Sequence, residues 1–217
     1  MAEEPGRIST DGRRRRAKRG DGGRLREELL AAAEALLDDA GEDAVTIRAV
    51  AQAVGVTTPA VYLHFENRSA LLHTVCLGVW DELDREMSGA GDGDGDGTAD
   101  PLAALVRRGS AYIRFGLAHP LRYRLVASGP ATAATRQVAD ACFRFLRDTV
   151  GRCVDAGVLD GDVNALTRAV CACLHGAVSL LILQPESAWP DDIARYADDV
   201  ATVAARGAAA LSGTARQ

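Results

Sequence analysis

Residues 55–71, GVTTPAVYLHFENRSAL, place small hydrogen-bonding groups beside aromatic and basic side chains. The residues concerned are Thr57, Thr58, Pro59, Ala60, Tyr62, His64 and Arg68. Hydroxyl, imidazole and guanidinium groups donate hydrogen bonds to phosphate oxygens, and short side chains reach base edges in a major groove. The segment therefore has the chemistry to contact a nucleic acid.

Two short helices joined by a turn would position these side chains. IRAVAQAV, residues 47–54, has helical apolar spacing and follows Thr46, a residue type that favours the N-cap. Gly55 tolerates the positive φ that a tight turn needs, and Ala51 is small enough for a second helix to cross closely. The spacing predicts a helix-turn-helix.

The second helix of this motif would point its N-terminus at a DNA groove. Thr57 is its N-cap if Pro59 occupies the second helical position, and Thr58 is the cap if Pro59 occupies the first. We favour Thr57, which leaves the Thr58 hydroxyl for a base or a phosphate, with Pro59 and Ala60 against thymine methyl groups. The residues expected to contact the sugar-phosphate backbone are Thr46, Arg48, Tyr62, His64 and Arg68.

The rest of the chain also has helical periodicity, which predicts an all-α fold with a small N-terminal helix-turn-helix domain and a larger helical domain. The predicted helices span residues 24–40, 69–87, 101–118, 121–128, 131–156, 162–183 and 190–211. The predicted divisions are a disordered basic arm (1–22), a helix-turn-helix domain (23–68), and a ligand-sensing and dimerisation domain (69–217) that contains a flexible acidic loop (89–100).

Charge is distributed unevenly along the chain. The formal net charge is −5, yet RRRRAKRGDGGRLR, residues 13–26, has eight basic groups and one acidic group. A basic arm on an acidic body predicts a local contact with a polyanion. The arm residues expected to bind DNA are Arg13, Arg14, Arg15 and Arg16; the alternative is a solvated tail.

The run VTIRAVAQAVGVTTPAVYLHFENRSALL resembles the DNA-binding domain of the tetracycline-repressor (TetR) family of bacterial regulators, over about residues 25–73. The residues in register are Thr46, Ala51, Gly55, Val56, Tyr62, His64, Phe65 and Leu71. Arg68 stands where the family usually has lysine, and Ala60 stands where a hydroxyl is common. The resemblance implies phosphate contacts from Tyr62, His64 and Arg68, and base contacts from residues 58–60.

Two further segments, AHPLRYRLV (118–126) and CLHGAVSLLI (173–182), resemble a C-terminal subgroup of such regulators, which implies a small-molecule effector and a homodimer. Helix 162–183 has two apolar faces, so one is expected to face a second copy of the chain. The expected interface residues are Ala169, Ala172, Gly176, Ser179, Leu183, Val200, Val203 and Gly207. The expected ligand-pocket residues, for which core packing is the alternative, are Trp80, Tyr112, Phe115, Tyr123, Phe143 and His175.

Other classes of function receive less support. The histidines are scattered and no nucleophile–base motif occurs, so neither a metal, a cofactor nor an enzyme is expected. The acidic loop begins like a calcium loop, but its twelfth position is Ala103. We expect five reduced cysteines, no membrane span and a cytoplasmic, nucleoid-associated protein. The sequence predicts a dimeric, ligand-responsive repressor of a palindromic operator, with a helical scaffold as the alternative.

Overall fold

The computed structural model describes residues 21–91, 100–128, 132–184 and 189–214. Within these ranges the chain is helical and has no strand, which confirms the predicted all-α class. The helices are α1 (Asp21–Ala40), α2 (Ile47–Val54), α3 (Thr58–Tyr62), α4 (Arg68–Gly91), α5 (Pro101–Ala118), α6 (Pro120–Ser128), α7 (Ala133–Asp155), α8 (Val163–Ile182) and α9 (Ile193–Thr214), with a 3-10 turn (Glu42–Ala44) after α1.

Local sequence signals end several of these helices. α1 stops before Gly41, α2 before Gly55 and α7 shortly before Gly157, and all three glycines have positive φ values of 80°, 74° and 69°. A left-handed residue after a helix suits glycine because it lacks a Cβ. At the other end, the Asp162 carboxylate accepts a hydrogen bond from the Ala165 amide at 2.8 Å, which caps α8.

The N-terminal helices pack around a small apolar core. Its fully buried members come from α1, the segment before α2, α2, α3, α4 and α6, so a helix of the larger domain closes this core. They are Leu29, Ala33, Leu37, Val45, Val50, Val61, Leu71, Val75, Cys76 and Leu125, the last of which belongs to α6. The first half of α4 is thus an integral part of the helix-turn-helix domain.

The larger domain is built around α5, which contacts α4, α6, α7, α8 and α9. Two glycines on α5 allow the close approach. A Cβ on Gly116 would lie 2.6 Å from Val178 of α8, and a Cβ on Gly109 would lie 3.1 Å from Leu174 of α8 and 3.2 Å from Ala201 of α9. The small residues therefore let three helices meet in one core.

α4 connects the two cores without a break. Its second half contributes Val79, Leu83 and Met87 to a further buried cluster with Phe115 of α5. The predicted boundary at residue 68 falls on the first residue of this helix. The predicted acidic loop begins too early, because α4 continues through Gly91, and residues 92–99 lie outside the described residues.

α8 is the one helix in the described part of the chain that resembles a membrane span, although the sequence analysis predicts none. It is long and apolar enough, by length and composition, to cross a membrane. In the fold it is a core helix: Val170, Leu174 and Val178 are buried against the rest of the larger domain. Its apolar character arises because small residues on the opposite face add to this buried face.

Candidate functional site

The helix-turn-helix forms as the sequence predicts. The Thr46 hydroxyl accepts a hydrogen bond from the Ala49 amide at 3.1 Å and caps α2. Gly55 turns the chain, and the buried Ala51 lies between the helices. α3 begins at Thr58 with Thr57 as its N-cap residue, although the Thr57 side chain makes no capping hydrogen bond. α3 therefore presents two threonine hydroxyls at its N-terminal end.

The outer side of α3 is open to solvent. Thr57 and Pro59 are exposed, and Thr58 and Ala60 are partly exposed. The large side chain of Tyr62 is 53% exposed. Since Val61 is fully buried between these positions, α3 has one face for the core and one for a partner.

The other predicted DNA-contact residues differ in solvent exposure and in the internal hydrogen bonds that they make. Arg48 is exposed on α2, and His64 is partly exposed after α3. Arg68 has an internal role: its Nε donates to the Val45 carbonyl at 2.8 Å and its Nη2 donates to the Glu42 carbonyl at 2.6 Å. Arg68 thus ties the start of α4 to the turn before α2. Residues 13–16 of the predicted basic arm lie outside the described residues.

A second site is a cavity of about 410 Å³ between α4, α5, α6, α7 and α8. This volume lies within the range of small-molecule sites. The larger apolar and aromatic lining residues are Trp80, Leu83, Met87, Tyr112, Tyr123, Val126, Phe143, Phe145, Leu146 and Leu174, and the small ones are Gly109, Ala127 and Ala139. The polar or titratable ones are Arg108, Asp140, Cys142, Cys171 and His175.

All but one of the predicted pocket residues line this cavity. The exception is Phe115, which the sequence analysis predicts in the pocket because it is a large residue on an apolar helix. Its ring is buried in the cluster with Val79, Leu83 and Met87, and its centroid lies 5.2 Å from the imidazole of His119. Helical periodicity predicts that Phe115 faces the interior, but it does not distinguish a side chain in a packed core from one that lines a cavity.

A chain of hydrogen-bonding groups leads from the cavity to the surface of α8. The Tyr112 hydroxyl lies 2.9 Å from the Tyr123 hydroxyl, which lies 2.6 Å from Nδ1 of His175. Nε2 of the exposed His175 lies 3.2 Å from the Ser179 hydroxyl. Because each hydroxyl has one proton, the tautomer of His175 decides whether Tyr112 donates to a ligand or accepts from it.

Burial keeps the phenol and thiol groups of the lining neutral. Desolvation raises the pKa of the Tyr112 phenol far above its usual value, and the nearby Tyr123 raises it further. Desolvation also raises the pKa of Cys142 to about 12, so the thiol is protonated at neutral pH. Cys142 and Cys171 are free cysteines. This part of the cavity wall therefore acts through packing and hydrogen bonds.

Arg108 is a buried, charged cavity residue that the sequence analysis does not predict. It is 6% exposed, lines the cavity, and donates a hydrogen bond to the Thr149 hydroxyl. Its guanidinium also stacks on the Phe145 ring, with Cζ 4.1 Å from the centroid. The sequence contains an indication of this position, because Arg108 lies four residues before the predicted pocket residue Tyr112 and therefore on the same apolar face of α5.

The predicted dimer residues lie on the outer side of α8 and α9. Ala169, Ala172 and Gly207 are exposed, and Gly176, Ser179 and Val200 are partly exposed. Leu183 is 81% exposed and Val203 is 65% exposed. Leu180 of α8, which is not among the predicted interface residues, is 61% exposed and lies three residues before Leu183, the C-cap residue of α8. We call this exposed apolar surface the α8–α9 face.

One ion-pair cluster connects three helices between the two sites. Arg122 of α6 donates to both carboxylate oxygens of Asp38 of α1, at 2.7 and 2.6 Å, and to Glu82 of α4 at 2.6 Å. These hydrogen bonds hold the pKa of Asp38 below its usual value. Desolvation raises the pKa of the neighbouring Glu34. We call Arg122, Asp38 and Glu82 the Arg122 clamp.

Comparison with known proteins decides the family. Residues 29–75 match the model described as bacterial regulatory proteins of the tetR family, and residues 105–204 match the tetracyclin repressor-like C-terminal domain. This chain belongs to the TetR family. The two matches together span about two thirds of this chain. They cover the helix-turn-helix and the part of the cavity wall that comes from α5 to α8, whereas Trp80, Leu83 and Met87 lie between them.

Individual relatives agree with this assignment. The tetracycline repressor protein class C of Escherichia coli is 28% identical over 179 residues, which is 82% of this chain and 74% of the relative. PfmR of Thermus thermophilus has the same fold, with a TM-score of 0.63 and 24% identity over 82% of this chain and 97% of PfmR. A protein of unknown function from Rhodococcus sp. RHA1 has a TM-score of 0.71 and 23% identity, covering 92% of this chain and 100% of that chain.

Membership of the TetR family gives the general function. The protein is a cytoplasmic, DNA-binding transcriptional regulator that uses a helix-turn-helix, responds to a small-molecule effector and acts as a homodimer. The family is one of regulators and not of enzymes. The helix-turn-helix supplies the DNA-binding part, and the C-terminal domain, which contains the cavity, supplies the sensing part.

Proposed function

We propose that this TetR-family protein is a repressor that binds a palindromic operator as a homodimer and leaves it when a small molecule fills the cavity. One observation supports this most directly. Trp80 and Val126 line the cavity, and the same two side chains pack against the core of the helix-turn-helix domain. A ligand that moves either side chain therefore acts on the DNA-binding domain through direct contact.

DNA contact begins at the N-terminus of α3. Thr58, Pro59 and Ala60 face base edges in the major groove, and the exposed Tyr62 contacts the sugar-phosphate backbone. His64, Arg48 and Thr46 contribute further backbone contacts on either side. Arg68 holds the turn that orients α2 through hydrogen bonds to the carbonyls of Val45 and Glu42. Its guanidinium also contacts a phosphate, in addition to these two internal hydrogen bonds.

The α8–α9 face joins two copies of the chain. Its exposed leucine and valine side chains gain about 1.5–3 kcal/mol each when fully buried. The small residues Ala169, Ala172 and Gly176 on α8 let a partner helix approach closely. The resulting two-fold dimer presents two α3 helices to half-sites about one DNA turn, or 34–36 Å, apart.

Release follows from the position of α4. Its first turns belong to the helix-turn-helix core, and its last turns form part of the cavity wall. A ligand that binds better to one tilt of α4 favours one separation of the two α3 helices, and a few ångströms of mismatch weakens one half-site. Coupling is reciprocal, so DNA lowers ligand affinity by the same factor.

The basic arm adds affinity without sequence specificity, and it supports association with the nucleoid. Arginines at positions 13–16 neutralise phosphates and release counterions. Deleting residues 1–20 should reduce the slope of log K against log salt concentration by about 0.9 for each phosphate that the arm would otherwise neutralise. An unchanged slope would show that the arm neutralises no phosphate.

The experiment that tests the proposed function uses the two tryptophans of the chain. Trp80 lines the cavity, whereas Trp189 is outside it and donates a hydrogen bond to the Leu181 carbonyl. In a Trp189→Phe variant, Trp80 alone reports cavity occupancy by fluorescence. The operator is first obtained by selection from random duplex DNA.

We expect compounds that change Trp80 fluorescence to lower operator affinity over the same concentration range. Trp80→Phe should weaken this coupling, with Trp189→Phe as the matched control. Failure to select any DNA sequence would favour the helical scaffold. Compounds that occupy the cavity without altering operator affinity would refute the release mechanism.

A further inference from the structure

We propose that the effector is an arylalkyl carboxylate whose carboxylate group pairs with Arg108. This inference rests on the proposed function, because a ligand of the cavity is an effector only if it releases the operator. Binding of the carboxylate can be tested without DNA. The starting point is the contrast within the cavity wall. Most of the lining is apolar, and a guanidinium that is 6% exposed is part of it.

The Arg108 guanidinium is held in place. Thr149 accepts a hydrogen bond from it and in turn donates to the Phe145 carbonyl at 3.0 Å, and the Phe145 ring lies against its flat side. A fixed, planar cation in a mostly apolar wall is well suited to a planar carboxylate, because the two groups can form two parallel, charge-assisted hydrogen bonds.

The aromatic lining of the cavity favours an aromatic ring in the part of the ligand that is not the carboxylate. Trp80, Tyr112, Tyr123, Phe143 and Phe145 all line it, and such rings pack favourably against another ring at offset or edge-on angles. Arg108 and Tyr112 are one turn apart on α5, about 6 Å along the helix axis. A ring joined to a carboxylate by a short alkyl link therefore reaches both the cation and the aromatic lining.

Acidic residues near the cavity favour the opposite charge, and they have to be weighed against Arg108. Asp140 lines the cavity, and the charges of Asp81 and Asp84 act on Cys142. Asp140 and Asp81 are exposed and Asp84 is partly exposed, so water screens all three carboxylates. Arg108 is the more deeply buried charge, and its electrostatic effect on a bound ligand is correspondingly larger.

The test compares three probes of the same shape and different charge on the full-length protein. They are 3-phenylpropanoate, 3-phenylpropanamide and 3-phenylpropylamine, with the 2-naphthylacetate, amide and amine series in parallel. Binding is measured by calorimetry and by thermal stabilisation at pH 7. The carboxylates should bind about ten- to a hundredfold more tightly than the matched amides and amines. An amine or amide that binds as tightly as its acid, or a complete lack of acid binding in both series, would overturn the proposal.

Variants assign the preference to one side chain. Arg108→Gln should remove the acid-over-amide preference, and Arg108→Lys should retain part of it. The matched control is Arg107→Gln, because Arg107 lies outside the cavity and donates to the Ala90 carbonyl. If Arg108→Gln does not fold, as judged by circular dichroism, the three-probe comparison on the parent protein still decides. A preference that survives Arg108→Gln in a folded variant would refute the assignment.

The two proposals fail in different ways. Acids that bind through Arg108 and leave operator affinity unchanged would refute the release mechanism and support the assignment of the ligand. Neutral or cationic compounds that release the operator and bind equally well to Arg108→Gln would support the release mechanism and refute the carboxylate.

Discussion

Replacing Arg122 with methionine should lower the free energy of unfolding by about 2 kcal/mol and weaken communication between the cavity and the DNA-binding domain. The Arg122 side chain is 18% exposed, and its partners Asp38 and Glu82 are 42% and 30% exposed. Fully exposed pairs contribute about 0.2–1 kcal/mol each, and breaking a buried pair costs about 3–5 kcal/mol. Two half-buried pairs therefore contribute about 2 kcal/mol to the free energy of unfolding. Methionine keeps the packing of the apolar part of the arginine side chain, so the variant measures the loss of the ion pairs.

The effect should depend on pH in a defined direction. The pKa of Asp38 in the folded protein lies below its usual 3.8. A carboxyl whose folded pKa is depressed stabilises the fold above its unfolded pKa, and this contribution is lost as the pH falls through the folded pKa. The stability difference between the parent protein and Arg122→Met should thus be full at pH 7 and should shrink below about pH 3.8.

Thermal unfolding at fixed protein concentration provides the measurement, because the stability of a dimer depends on concentration. A loss of 2 kcal/mol corresponds to a Tm decrease of about 4–8 °C for a chain of this size. The control is Arg24→Met, which breaks one exposed pair with Glu28 and should change Tm by less than about 2 °C. Equal Tm values for the two variants would refute the estimate. An unchanged effect of ligand on operator affinity in Arg122→Met would show that the clamp has no part in coupling.

Three further results are expected. Thr58→Ala combined with Tyr62→Ala should weaken operator binding by about 2–4 kcal/mol in fluorescence anisotropy without changing Tm, and parent-like affinity would place the recognition surface elsewhere. Gly116→Ala should destabilise by about 1–3 kcal/mol because its Cβ would lie 2.6 Å from a methyl carbon of α8, whereas Gly89→Ala, with nothing within 4 Å, should be neutral or stabilising in denaturant titrations. Val203→Glu should yield a folded monomer in sedimentation velocity, and a stable dimer would exclude the α8–α9 face.

The helix ends were the most predictable part of the fold. Thr46, Gly55 and Gly157 mark boundaries through local chemistry, namely a side-chain cap and positive φ values, so the sequence alone places them well. The end of α4 was less predictable. Residues 88–91 are small and include two glycines, which suggests a loop, yet α4 continues through Gly91. The Arg107 side chain donates a hydrogen bond to the Ala90 carbonyl in this segment.

The cavity shows where sequence reasoning becomes insufficient. Periodicity selects residues that face inward, and five of the six selected pocket residues line the cavity. It does not separate a filled core from an empty one, so it included Phe115. It also treats a charged residue as a surface residue, which is why Arg108 was missed. Arg68 makes two hydrogen bonds that the family resemblance does not imply, to the backbone carbonyls of Val45 and Glu42. The phosphate contact that the resemblance implies for Arg68 stays a prediction.

The uninterrupted course of α4 has a consequence for building sensors by recombination. A chimera that joins this DNA-binding domain to another sensing domain must be fused within a continuous helix, where each inserted or deleted residue rotates all that follows by about 100°. Fusion points must therefore preserve helical phase, and they must also keep Asp38, Glu82 and Arg122 from the same parent, although these residues lie in three separate helices. The unit that can be exchanged between regulators is consequently defined by contacts across α1, α4 and α6, and a cut at residue 68 would divide it.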